Sequence, residues 1–356
     1  MYKVYIRCYT FNQARYIEDA MNGFVMQETD FPFVATIVDD ASTDETPQVI
    51  TSFFDRFFDT EDSSVAFREE TEYGTVLYAR HKTNPNCYFA VILLKENHYS
   101  QRKKKQPYLN RWTKDVPYVA LCEGDDYWTD PRKLQKQVHY LEEHPECRMC
   151  CHAVKWETDG ELYDDGCRHD QPCNLPTDEV IRNNGLYLAT CSLVFCQELV
   201  QDFPEWRKAA TVGDFPLVIL GSLRGELYFF PDIMGIYRYM SEGSWTSLHF
   251  GNNPSRTRVT IDYIKNKVRW LNMLDKDTDG RYSSSIFSLA FHYYNLLFNA
   301  REIGFSEYFR AAMKADEKHY GRVFKDFLIR YFKPFHSAFI SLTGKGKKLS
   351  NSEKND

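Results

Sequence analysis

The sequence predicts an open α/β sheet flanked by helices, followed by a helical C-terminal region. Three observations lead there. Short β-rich runs stop abruptly at carboxylates, at Asp39-Asp40 and again at Glu123-Gly124-Asp125-Asp126. Stretches with helical apolar spacing alternate with those runs. From about residue 255 the pattern turns helical. In sheets of this kind, ligands lie beyond the carboxyl ends of the strands, so one ligand can meet both acidic clusters.

Taken in order, Val4, Tyr5 and Ile6 make the first strand. After the loop Thr10-Phe11-Asn12-Gln13, a helix carries Ile17, Ala20, Met21 and Phe24 on one face. Ala35-Thr36-Ile37-Val38 is the second strand. Ser42, Thr43 and Asp44 then offer N-caps, Pro47 suits a first turn, and Val49, Ile50, Phe53, Phe54, Phe57 and Phe58 form a core stripe. Residues 59–116 are less regular, apart from a buried strand over 89–94. Their Ser-Gln-Arg-Lys-Lys-Lys run at 100–105 is a solvated face or an anion contact. Tyr118-Val119-Ala120-Leu121 is a buried strand, and Leu134, Val138 and Leu141 mark the next helix. A strand is expected over 148–154, a long loop over 155–185 and a strand over 187–196. Asp214 opens a helix with Pro216 in its first turn, and 231–241 is a closing strand. Beyond it, Tyr263, Val268, Leu271 and Leu274 suit one helix, and Ile286, Leu289, Ala290, Tyr293 and Leu297 another.

Carboxylates crowded at a strand end repel one another unless a cation is shared. A hard ion such as Mg²⁺ or Mn²⁺ fits, because it prefers oxygen ligands and accepts phosphate as a co-ligand. Gly124 lets the backbone come close to such a ligand. Neither G-x-G-x-x-G nor G-x-x-x-x-G-K-[ST] occurs, so a nucleotide would be held by carboxylates and metal.

Several linked motifs resemble family 2 glycosyltransferases. They are Thr10-Phe11-Asn12 with Tyr16-Ile17, then Val38 to Asp44, then Glu123-Gly124-Asp125-Asp126-Tyr127-Trp128, and Asp130-Pro131-Arg132-Lys133-Leu134-Gln135-Lys136-Gln137. The resemblance spans about residues 1–245. It implies a GT-A open mixed sheet over 1–250, with a nucleotide-sugar half (1–130) and an acceptor half (131–250), ahead of a helical extension over 251–356. It also implies an inverting enzyme using nucleotide-diphosphate sugars, most commonly UDP-sugars, with Mn²⁺ or Mg²⁺, in surface-polysaccharide synthesis.

Residue by residue, the resemblance gives Asp39 and Asp40 to the nucleoside, with the backbone of Thr10, Phe11 and Asn12 lining the base pocket. Asp125 and Asp126 hold the metal and the ribose-diphosphate, with Glu123 standing where many members have Asp. Asp214 is the catalytic base; without the resemblance it reads as an N-cap. Arg238 faces a phosphate or forms a structural ion pair. Met240 occupies the usual histidine position, and Trp245 is a candidate lid over the sugar.

The chain of 356 residues is 43% hydrophobic and 26% charged, an ordinary globular composition. Its formal charge of −6 argues against a general nucleic-acid binder. Aromatics reach 16%, which suits sugar platforms or a rich core. No apolar run reaches membrane-spanning length and the first residues read as a strand, so the expectation is a cytosolic protein with reduced cysteines. Cys147, Cys150, Cys151 and His152, with Cys167, His169 and Cys173, have zinc-like spacing. A strand through 148–154, however, turns Cys150 and Cys151 to opposite faces. Residues 323–348 interleave aromatic and aliphatic residues with Lys and Arg. They suit a helix lying in an anionic membrane interface beside a lipid-linked acceptor, or a packed helix with a basic tail. Two other readings compete. A sugar nucleotidyltransferase lacks its glycine-rich phosphate loop here. A non-catalytic nucleotide- or sugar-binding relative would not need Asp214.

Overall fold

The computed structural model describes residues 1–164, 169–184, 188–244, 246–247 and 257–315. The chain divides into two compact units, Met1–Thr260 and Ile261–Asp356.

In the first unit β1 (Val4–Thr10) leads into α1 (Ile17–Val25), then β2 (Phe33–Asp39) and α2 (Thr46–Phe57). Burial follows the sequence pattern. Val4, Ile6 and Cys8 of β1 pack with Ile17, Ala20, Met21 and Phe24 of α1 and with Ile50, Phe53 and Phe54 of α2. Burying each of the larger of these side chains, Val, Ile, Met and Phe, stabilises the fold by roughly 1.5–3 kcal/mol.

The region expected to be irregular is in fact ordered. β3 (Phe67–Glu70), β4 (Gly74–Arg80) and β5 (Cys87–Leu94) extend the sheet, and α3 (Gln106–Thr113) follows. β6 (Tyr118–Leu121) pairs parallel to β1 on the side opposite β2. The chain thus leaves β1 outwards through β2 and β5 and returns across it to β6. That makes the carboxyl end of β1 the topological switch point, where open α/β sheets bind ligands.

β7 (Tyr127–Trp128) and α4 (Lys133–Glu143) precede β8 (Cys147–Thr158). The loop expected over 155–185 is mostly structured. β8 runs on to Thr158 and turns through Asp159 (φ 53°) and Gly160 (φ 82°) into β9 (Glu161–Asp164). Positive φ at two successive residues is the signature of the tightest hairpin turn, and Asp-Gly is a preferred sequence for it. β10 (Cys173–Asn174) and α5 (Thr177–Arg182) complete that stretch.

The strand expected over 187–196 is shorter than its apolar run. Thr190–Ser192 is a 3₁₀ turn and only β11 (Val194–Cys196) is extended. The Cys191 carbonyl accepts the Trp128 indole N–H (2.8 Å) and the Ser192 carbonyl accepts Gln137 Nε2 (2.9 Å). Side chains have taken the bonds a strand would use. Tyr187 falls outside the described residues.

After α6 (Glu205–Ala209) and α7 (Asp214–Arg224), β12 (Glu226–Arg238) begins earlier than the expected closing strand. It pairs parallel to β8 across register shifts before meeting β7. Among the described residues the resulting mixed sheet has twelve strands; ten run β10-β12-β8-β11-β6-β1-β2-β5-β4-β3, while β7 pairs with β12 and β9 with β8 beside that path.

The second unit takes α8 (Thr257–Asp277) from Ile261 onward, with α9 (Ser283–Asn299) and α10 (Phe305–Ala315). Phe291 and Phe298 of α9 pack on Tyr308, Ala311 and Ala312 of α10. Among the described residues no helix is long and apolar enough to cross a membrane. The amphipathic segment 323–348, Trp245 and Cys167 lie outside the described residues.

Candidate active site

Three loops meet at the switch point. Hydrogen bonds tie the β1–α1 loop to the β2–α2 loop and to the first residue of α2. Asn12 N donates to Ser42 Oγ (2.8 Å), Thr43 N to Asn12 Oδ1 (2.8 Å), Gln13 N to Thr46 Oγ1 (2.8 Å) and Ala14 N to Asp44 Oδ2 (3.1 Å). Asn12 adopts φ 53° to do this, a left-handed conformation that Asn tolerates better than most residues. Thr10 is buried and donates to Gln13 Oε1 (2.8 Å), while Phe11 stays 39% exposed at the rim.

The two aspartates ending β2 are both buried. Asp39 accepts Ser42 N (3.1 Å) and the Ser42 hydroxyl. Burial nevertheless pushes its carboxyl above the usual range, with Asp44 and Asp40 adding to the shift. Asp40 accepts His98 N (2.8 Å) and Tyr99 N (3.0 Å) and pairs with Lys105 Nζ (2.8 Å). Both its oxygens are therefore engaged by the segment leading into α3. Lys105, from the basic run, serves here as the partner of Asp40.

The turn after β6 carries the second cluster. Glu123 and Asp125 are half-buried and Asp126 is fully buried. Glu123 Oε2 accepts Tyr9 N (3.1 Å) and Asp125 Oδ2 accepts Ser241 Oγ (2.7 Å). Burial raises all three carboxyls; repulsion from Asp125 adds to the shifts of both Glu123 and Asp126. Asp126 Oδ1 accepts Arg238 N (2.9 Å), so this side chain braces β12. Among the described residues no group of three or more His, Cys, Asp or Glu side chains is placed to hold a metal alone. The expected trio Glu123, Asp125 and Asp126 is accordingly not a protein-only cage.

Gly124 also has a steric role in this turn. A Cβ there would lie 2.5 Å from Gln13 Oε1 and 2.8 Å from Thr10 Cβ. The glycine makes room for this turn to close on the β1–α1 loop.

Arg238 does not offer the open fork expected of a phosphate ligand. Nε bonds Glu157 (3.1 Å), Nη2 bonds Asp19 (2.6 Å) and Nη1 bonds the Asp125 carbonyl (3.0 Å). Asp214 is exposed at the start of α7, and its Oδ1 accepts the neighbouring Phe215 N (2.8 Å). The capping position itself belongs to Gly213. Tyr237 links the two sides. Burial pushes its hydroxyl well above the usual tyrosine range, and the charges of Asp126, Asp125 and Asp214 all add to that shift.

Sequence reasoning passed over Arg7, Tyr9, Gln13, Tyr237 and Ser241. The signal for Arg7 is a lone charge inside the otherwise strand-like Val4–Thr10 run.

The sheet order and the flanking helices make this a mixed α/β fold of the GT-A-like class seen in glycosyltransferases. S. aureus TarS (residues 1–349) in complex with UDP-GlcNAc superimposes with a TM-score of 0.54 at 16% identity, covering 92% of this chain and 80% of that one. TarS in complex with UDP gives a TM-score of 0.50 over the same shares. No family model matches the chain. In sequence, the chain is 31% identical over 247 residues to uncharacterized proteins of Mycobacterium bovis and Mycobacterium tuberculosis. The match covers 67% of this chain and 60% of those proteins, so the chain spans about three fifths of their length.

Proposed function

We propose that this chain moves a sugar from a nucleotide-diphosphate sugar to a hydroxyl of a glycan or lipid-linked acceptor, with inversion at the anomeric carbon. The observation that carries this reading is the pair of half-buried carboxylates, Glu123 and Asp125, at the switch point of a sheet shared with TarS, a protein seen with UDP-GlcNAc. Nucleoside recognition falls to Asp39, beneath the wall formed by Thr10 and Phe11, since Asp40 is committed to the 98–105 segment.

Glu123 and Asp125 suit Mg²⁺ or Mn²⁺, which take one or two carboxylates and complete their shell with substrate phosphates. When bound, such an ion would stabilise the negative charge that grows on the departing diphosphate. Asp126 and Arg238 are positioning residues that fix the turn against β12. Asp214, exposed and within electrostatic reach of Tyr237, takes the acceptor proton as the hydroxyl attacks. The transferase unit in this reading is about 1–250, and the basic segment 323–348 would hold it to an anionic membrane on the cytosolic side, as surface-polysaccharide assembly requires.

The test is thermal stability against UDP, GDP, CDP and dTDP, each with and without Mn²⁺. At a hundredfold excess over Kd, a ligand specific for the folded state adds about 2.7 kcal/mol. Stabilisation by one nucleotide that needs metal supports the reading, and silence from all of them overturns it. A transfer assay separates catalysis from binding alone. Asp214→Asn should lose about 10²- to 10⁴-fold in kcat while nucleotide stabilisation stays at the wild-type level. A nucleotide-binding protein with no turnover would instead be the non-catalytic relative.

A further inference from the structure

The β8–β9 hairpin carries the sheet outwards beside the acidic turn. Trp156 of β8 stands opposite Tyr163 of β9 on one side and opposite Tyr237 of β12 on the other. Residues paired across strands share a face, so these three rings form one row. Tyr239, two residues beyond Tyr237, lies on the same face, and its ring stacks on Trp156 at 5.0 Å and 23°. Trp156 meets Tyr237 edge-on at 5.7 Å. The row leads to the candidate site. Beyond Tyr237, Arg238 N donates to Asp126 Oδ1 (2.9 Å), and Ser241 Oγ, two residues after Tyr239, donates to Asp125 (2.7 Å). Glu157, next to Trp156, holds Arg238 Nε (3.1 Å), whose Nη1 reaches the Asp125 carbonyl (3.0 Å). From β9 through β8 and β12 to β7, which follows Asp126, there are three strand spacings, about 14 Å.

These rings are only partly used in packing. Trp156 and Tyr237 are half-buried against the core, but Tyr163 is 51% exposed and Tyr239 38% exposed. Single exposed tyrosines are ordinary; a continuous row that ends at a candidate site is not. Thr158 and the exposed Glu161 are paired on the same face, and Glu161 accepts the Tyr163 hydroxyl (2.7 Å). Aromatic faces rimmed by hydroxyls and a carboxylate match a pyranose, which has C–H groups on its faces and hydroxyls around its edge. Charge narrows the partner further. Within 155–164, Glu157, Asp159, Glu161 and Asp164 stand against Lys155 alone, which disfavours a nucleic acid, an anionic bilayer or an acidic polysaccharide.

We propose that Tyr163, Trp156 and Tyr239 form an extended acceptor subsite that stacks uncharged pyranose rings, so that the acceptor is an oligosaccharide of several sugars. The proposal rests on the transferase reading and adds to it the length and charge of the acceptor. The reacting end of the chain would face the acidic turn, while the sugars behind it run out along the hairpin.

The experiment uses the full chain, immobilised, with neutral malto-, cello- and manno-oligosaccharides of one to five units as probes, read by frontal affinity chromatography with and without UDP and Mn²⁺. In at least one series affinity should rise with length, by about two- to tenfold for each ring stacked. Tyr163→Ala should remove the gain of the longest probes only, Tyr163→Phe should restore it, and Trp156→Ala should remove the gain of shorter probes as well. A purely structural hairpin would instead shift all lengths together. Thermal melts establish that each variant is folded, and Tyr163, exposed on the hairpin, is a safer site than Trp156, which also packs on the core. No retention of any neutral probe, retention that ignores length, or an unaltered length dependence in folded Tyr163→Ala would overturn the proposal. Stronger retention of acidic oligogalacturonate would overturn it too. Nucleotide stabilisation without oligosaccharide binding would sink this subsite alone. Length-dependent retention in a protein that no nucleotide stabilises would sink the transferase reading and leave the glycan site standing.

Discussion

The two acidic clusters look alike in sequence and are treated oppositely by the fold. At the end of β2, Asp40 is met by two backbone N–H groups and a lysine, and Asp39 by both donors of Ser42. After β6, Glu123 accepts Tyr9 N (3.1 Å) and Asp125 accepts the Ser241 hydroxyl (2.7 Å), with no cationic side chain bonded to either carboxylate among the described residues, and burial lifts their carboxyls above the usual range. The first cluster is mainly a joint between loops. The second keeps electrostatic stress that a cation would relieve. The same division recurs inside the second cluster, where Asp126 braces β12 and Asp125 does not.

Four substitutions break or sharpen this contrast. Asp125→Asn should cost about 10³-fold in transfer rate and abolish the metal-dependent part of nucleotide stabilisation, with little change in the melting midpoint of the free protein. Retained turnover in that variant would place the chemistry elsewhere. Asp40→Ala should do the reverse in kind. It strips acceptors from His98 N, Tyr99 N and Lys105, and should cost about 3 kcal/mol in urea unfolding. Gly124→Ala, which forces a Cβ against Thr10 and Gln13, should cost roughly 1–3 kcal/mol and be rescued in part by Thr10→Ser.

The smallest effect is a pH slope. Because the folded-state pKa of Asp126 is raised, its contribution is intact below the ordinary carboxylate range and is lost as pH rises towards that folded value. Asp126→Asn removes the titration while leaving an oxygen for Arg238 N. Its stability relative to wild type should rise by up to about 1.4 kcal/mol per pH unit across that interval, checked by urea titrations at several pH values.

Much of the fold was legible because period and punctuation agreed. The β1, β2 and β6 runs, the α1 and α2 stripes and the carboxylates at strand ends are local signals. The Asp159-Gly160 hairpin is also a local signal, though it lies inside the loop expected over 155–185. What could not be read was decided across the chain. Asp40 is claimed by residues 58 and 59 positions away, and Arg238 is bound to Asp19, 219 positions distant. The 3₁₀ turn at Thr190–Ser192 follows from Trp128 and Gln137 reaching its carbonyls. Arg7 offers the sequence only a lone charge in a strand.

The bonds joining Asn12, Gln13 and Ala14 to Ser42, Asp44 and Thr46 have a kinetic meaning. A rim already fastened in this way has no loop to order when a ligand arrives, so the conformational entropy is spent during folding and not at the encounter. Association with a nucleotide should then be a single fast phase, without the slow step of a closing lid on that side. The backbone amides of Asn12, Gln13, Ala14 and Thr43 should resist hydrogen exchange before any ligand is added.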